Sequence, residues 1–98
     1  MFLVARFRAP DYERWKQAFD SDQLTRVRHG ARGHRILRRI DDPDDYLVII
    51  EFASHGGALG FAQDPALLPA IEASGVEGGA HNVQYVEEFH EELEADQY

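Results

Sequence analysis

Five histidines, His29, His34, His55, His81 and His90, are the residues in this chain best suited to proton transfer near neutral pH. No two are spaced as HxxxH or HExxH, and there is no cysteine to complete a ligand set, so neither a metal nor any other cofactor is expected. Nucleophile-elbow, P-loop and dinucleotide-binding glycine patterns are absent, which removes motif support for acyl transfer, nucleotide hydrolysis and hydride transfer. Gly56-Gly57-Ala58-Leu59-Gly60 lacks the lysine of a phosphate loop. It reads instead as a small-residue helix face that approaches a sheet or leaves room for a ligand.

Alternation along two segments gathers the polar candidates. In 33–40, His34 and Arg38 share a face with Ile36 and Ile40; in 81–89, His81, Tyr85 and Glu87 share one with Val83 and Phe89. Turned toward helices, these faces meet Tyr12, Trp15 and Phe19 and form an aromatic-walled pocket for a planar, polarised ligand. His34 would act as general base, and Arg38 or Tyr85 would stabilise an enolate or phenolate oxygen. Tyr12, Trp15, Phe19, His55 and His81 would contact the substrate. The plainer alternative puts His34 and Arg38 on an exposed edge strand, with Trp15 and Tyr85 as core.

The elements that must hold these residues follow from local signals. Phe2–Phe7 is β-prone and ends before Pro10. Pro10 and Asp11 open a helix carrying Tyr12, Trp15 and Phe19; Asp20 with Gln23 resembles a capping box for a second short helix, stopped by Gly30. Strands at 33–40 and 46–52 flank the turn Asp41-Asp42-Pro43-Asp44-Asp45. Ser54 caps a helix to Gln63, and Asp64-Pro65 restarts a helical segment that closes at Ser74-Gly75, with Pro69 unsettling its first turn. The last strand precedes an acidic end. The order is β-α-β-β-α-β: an α+β, ferredoxin-like split βαβ arrangement, with a four-stranded antiparallel sheet and helices on one face.

Strands 1 and 3 are apolar on both sides: Val48, Ile50 and Phe52 against Leu47 and Ile49, and Phe2 and Val4 against Leu3, Ala5 and Phe7. A sheet with one wet face alternates more cleanly, and no further segment remains to cover the second face. A second copy packed face to face is the expected cover, giving a homodimer.

Ninety-eight residues make one domain, read as 1–90 with an acidic tail at 91–98. The net charge of −8 divides into +6 over positions 1–40 and −14 over 41–98. Residues 26–39 hold six arginines and no acid, yet no aromatics are interleaved for base stacking. Nucleic acid is therefore not an expected partner. The stripe pairs instead with acidic segments: Arg32, Arg35 and Arg39 of one subunit would face a partner's Glu87, Glu88, Glu91, Glu92 and Glu94. The opening MFLVARFRAP has an apolar run too short for a membrane span or signal sequence, and cysteine is absent. A cytoplasmic protein without membrane contact is expected.

Four stretches, DYERWKQAFD, GARGHRILRRIDDPDDYLVIIEF, DPALLPAIEASGV and VQYVEEFHEE, resemble the dimeric α/β-barrel superfamily, particularly the small antibiotic-biosynthesis-monooxygenase-like proteins. The resemblance implies a pocket between the helices and the sheet of each subunit. It also implies chemistry of the kind that superfamily includes: cofactor-free oxygenation of polyketide aromatics, cyclisation, or no reaction at all. Neither the haem-degrading residue set nor an oxygenase catalytic set matches this sequence. Two functions stay open: a cofactor-independent monooxygenase or cyclase-like enzyme acting on an aromatic or polyketide-like molecule, and a non-catalytic small-molecule-binding or structural homodimer.

Overall fold

The two near-continuous apolar runs at the first and third strands set the architecture. The computed structural model describes residues 1–78 and 81–92, with 81 and 82 by backbone alone. Its elements are β1 (Phe2–Arg8), α1 (Tyr12–Ser21), α2 (Gln23–Arg28), β2 (Ala31–Arg38), β3 (Asp45–Phe52), α3 (His55–Ala62), α4 (Leu67–Ser74) and β4 (His81–Val86). The strands form one antiparallel sheet in the order β2-β3-β1-β4. This is the split βαβ arrangement, with β2 and β4 at opposite edges.

On β1 and β3, odd and even positions part cleanly. Leu3, Ala5, Phe7, Tyr46, Val48, Ile50 and Phe52 are buried and form the core with Trp15, Ala58 and Phe61 from the helices. Phe2, Val4, Leu47 and Ile49 point the other way and stay only half-covered. Register places Val4 beside Ile49 and Leu47 beside Leu37, and Leu37 and Val86 are exposed on the edges of the same surface. One chain therefore leaves this face open, its apolar residues interrupted by Arg35 beside Ile49, Glu51 beside Phe2 and Gln84 beside Val4. Its far end is charged: Arg6 and Arg39 converge on Asp45, which is 2% exposed. The Arg6 hydrogen bonds hold the Asp45 carboxyl below the ordinary carboxylate range.

The helix ends show where local signals hold. Asp11 caps α1 by accepting from the Arg14 amide at 3.1 Å, and Ser54 caps α3 by accepting from the Gly57 amide at 3.0 Å. Gly30 and Gly75 end α2 and α4 in left-handed conformations, φ 88° and 74°. Pro69 is tolerated because it sits within the first turn of α4, where its missing N–H has no intrahelical partner to lose. Asp20 is not the cap of α2. That position falls to Asp22, whose side chain makes no capping bond, while Asp20 is held by Lys16 one turn back at 2.7 Å. Strand β2 stops at Arg38 rather than at residue 40, because Arg39 bonds Asp41 and Asp45 as the turn begins; Ile40 is left fully exposed.

Candidate functional site

The helix-facing side of the sheet and the helices line a partly open cavity of about 230 Å³. Its floor is Leu3, Ala5 and Phe7 from β1 with Val48 and Ile50 from β3. Trp15 and Phe19 from α1 stand on one side, and Leu67 and Ile71 from α4 on another. Ala5 lies between larger neighbours on the floor, and Ala18, Ala62 and Ala70 are the small residues of the helical walls. These alanines leave space between the bulky groups around them that would otherwise close into solid core. An aliphatic-lined cavity of about 150 Å³ accommodates benzene in another protein. The volume here suits a two-ring aromatic.

Stacked rings build one wall. Tyr46 and Phe7 lie 5.5 Å apart, Phe7 and Trp15 4.4 Å, and Trp15 and Phe19 4.8 Å, all stacked. Tyr12 braces this column through Trp15 and Tyr46 at 5.9 and 5.1 Å. The column ends in a charge: the Arg26 guanidinium lies 3.6 Å from the centroid of the Phe19 ring, and its Nη1 donates to the Phe19 carbonyl at 2.7 Å. Arg26 is 4% exposed and lines the cavity. Among the described residues no carboxylate lies within ion-pair distance of it. Burial pushes its pKa down, partly offset by Asp22 and Asp20, though a guanidinium stays protonated at any physiological pH. Asp22 and Ser74 are the other polar residues lining the cavity, and Ser74 spends its hydroxyl proton on the Ile71 carbonyl at 2.6 Å.

His34 packs edge-on against the same Phe19 ring, 4.8 Å between centroids. Burial, then the nearby charges of Arg26 and Lys16, lowers its pKa, so the imidazole is neutral at pH 7 and able to accept a proton.

No protein-family model matches the sequence, and no curated protein matches it. Solved structures do match. A Bordetella bronchiseptica protein named as a candidate antibiotic biosynthesis monooxygenase aligns at TM-score 0.74 and 12% identity, over 91% of this chain and 96% of its own. SnoaB, a cofactor-independent oxygenase from Streptomyces nogalater, aligns at TM-score 0.70 and 19% identity, over 93% and 96%. A Deinococcus radiodurans protein named like the first aligns at TM-score 0.65 and 16% identity, over 95% and 99%. The chain has the antibiotic-biosynthesis-monooxygenase-like fold. At these identities the likeness establishes the fold, and the residues must supply the chemistry.

Within this fold the predicted site residues separate. Trp15 and Phe19 line the cavity and Tyr12 backs the ring column, whereas His34 is exposed on the edge strand β2, outside the cavity lining, and touches the site only through the Phe19 ring. Arg38 lies elsewhere, exposed at the end of the edge strand β2 in a shallow groove with Arg6, Leu37, Arg39 and Asp45. Tyr85 pairs with Leu3 in register and faces His55 at 5.8 Å, forming a second small cluster toward the β4 edge. The side chain of His81 lies outside the described residues. Asp22, Arg26 and Ser74 line the cavity without having been read as site residues. Arg26 carried a signal: it lies seven residues after Phe19 and eleven after Trp15, the spacing of one helical face. Gly57 and Gly60 do not face the sheet. A Cβ on Gly57 would lie 2.2 Å from the His29 carbonyl oxygen, and one on Gly60 2.9 Å from its imidazole, so these glycines admit the end of α2.

Among the described residues no cluster of three or more His, Cys, Asp or Glu side chains could hold a metal ion. No helix among them is long and apolar enough to cross a membrane.

Proposed function

We propose that the protein binds a planar, two-ring aromatic or polyketide-like molecule in the helix–sheet cavity and acts on it as a cofactor-independent oxygenase or cyclase. The observation carrying this reading is the apolar cavity itself, walled by Trp15 and Phe19, with neutral His34 and cationic Arg26 flanking one ring. Cofactor-free oxygenation needs a substrate whose carbanion is stabilised, a base to form it and a dry surrounding; dioxygen is then the only co-reactant. Trp15 and Phe19 hold the rings in this reading, and His34, exposed beyond Phe19, is the base only for a substrate whose acidic carbon reaches past that ring to the β2 edge. Arg38 and Tyr85 would act only on a substrate reaching beyond the cavity, and His55 and His81 only on one extending toward β4. The named activity of SnoaB, on the same fold, is consistent with this chemistry.

The functional unit is a homodimer formed through the open sheet face. Half-covered Phe2, Val4, Leu47 and Ile49, with exposed Leu37 and Val86, support a second copy packed there. Within one chain Arg39 is already paired with Asp41 and Asp45, and Arg32 reaches Glu51 at 4.0 Å. Arg35, beside Ile49 on the open face, is the arginine best placed to meet a partner's acids.

Quenching of Trp15, the single tryptophan, by hydroxylated two-ring aromatics tests the site, and oxygen uptake with the same compounds tests turnover. Saturable quenching without oxygen uptake or a new product would leave a binding protein. Absence of quenching would remove the site.

A further inference from the structure

Arg26 is a cation placed where an apolar cavity has no use for one. Its Nη1 is committed to the Phe19 carbonyl, whereas among the described residues Nε and Nη2 have no hydrogen-bond partner. Neither is a sealed orphan, because no fully buried side-chain nitrogen or oxygen among the described residues lacks a partner. The Nε–Nη2 edge therefore keeps accessible space, and the residue carrying it lines the cavity. That edge presents two parallel N–H donors, the geometry that matches a carboxylate in a bidentate pair. Stacking on Phe19 and the bond to its carbonyl hold the plane of the fork in advance, so little ordering remains when a ligand binds.

Resting on the cavity reading above, we infer that the ligand is an aromatic acid, its rings against Trp15 and Phe19 and its carboxylate paired with the Nε–Nη2 edge of Arg26. Leaving a buried guanidinium unpaired is costly, so the site favours an occupant that supplies the missing charge over a neutral one of the same shape. Asp22 opposes this. Its carboxylate also lines the cavity, too far from Arg26 to pair with it but near enough to weaken its attraction for an anion.

The test compares 2-naphthoate with 2-naphthamide, equal in shape and different in charge, by calorimetric titration of the full chain. Wild type should bind the acid at least about tenfold more tightly, equivalent to about 1.4 kcal/mol. Arg26→Gln should bring that ratio near one by weakening the acid alone. Asp22→Asn, whose side chain makes no capping bond, should tighten the acid and leave the amide unchanged; this variant and the wild-type ratio decide the matter if Arg26→Gln fails to fold. Equal binding of the two compounds by wild type would overturn the inference while leaving the cavity reading intact. Binding of neither would overturn both.

Discussion

Ala5 offers a direct test of whether the space under α1 is a site or a flaw in packing. It is 7% exposed, lies on the central strand β1 between Leu3 and Phe7, and forms part of the cavity floor. Ala5→Leu adds three carbons, which would contribute up to about 2.4 kcal/mol at ~0.8 kcal/mol per buried methylene. Strain at the backbone and against Val48 takes back on the order of 1 kcal/mol, since the added atoms are confined by a close-packed floor. The net gain is about 1–2 kcal/mol. For a domain of this size that raises Tm by roughly 5–15 °C. The same leucine occupies the volume a two-ring ligand needs, so 2-naphthoate affinity should fall more than tenfold while the apo protein becomes harder to melt. Differential scanning calorimetry and Trp15 fluorescence titration on the same preparation read both quantities. A lower Tm with unchanged ligand affinity would refute the reasoning, because it would mean that Ala5 faces packed side chains and not open volume.

Three further outcomes are expected. Ile49→Glu, on the open sheet face, should convert a species of twice the 11.2 kDa chain mass into a monomer by light scattering; a wild-type monomer would refute the proposed interface. The His34 ring should titrate below its ordinary value in NMR, and Arg26→Gln should move that midpoint upward. Because the unfolded chain takes the proton first, His34 subtracts stability as pH falls through about 6.5 toward its folded pKa; an unshifted midpoint would remove the neutral-base assignment. Asp45→Asn should lower Tm at pH 7 and lose its effect in acid, since a depressed carboxyl pKa gives stability that is present above the ordinary value and lost as pH falls through the folded one. A Tm difference that persists below that range would show that the Arg6 and Arg39 bonds to Asp45 matter little.

Sheet and helix order were legible because β1 and β3 are central, and central strands covered on both faces read as near-continuous apolar runs. Edge strands were harder. The face of β2 was readable from Ile36 and His34, but its last residues were not: the Arg39 amide still bonds the Asp45 carbonyl, while its side chain turns to Asp41 and Asp45 through contacts no local pattern announces. The α2 cap was misplaced for a related reason: Asp20 has the right type and spacing, and Lys16 claims it first. The aromatic wall was legible from helical spacing on α1. Arg26 was obscured by its neighbours, since one buried arginine in a run of six reads as part of a solvated stripe. Its phase relative to Trp15 and Phe19 separates it only if α1 and α2 are taken as one nearly continuous face. Gly57 and Gly60 of α3 answer to the carbonyl and the imidazole of His29, a tertiary neighbour invisible in sequence.

The separation of odd from even residues on β1 and β3 has a consequence for how such a protein can change. Leu3, Ala5 and Phe7 border the cavity, while Phe2, Val4 and Arg6 look outward from the same stretch of backbone. Substitutions on one set can reshape what the interior accepts without altering the outer surface, and the reverse holds equally. Selection can thus tune the cavity lining and the outer sheet face as two independent surfaces written in alternate letters. A single-residue insertion within either strand is the exception: it exchanges the two sets at once and forfeits both. These strands should therefore tolerate replacement on one face at a time better than any change in length.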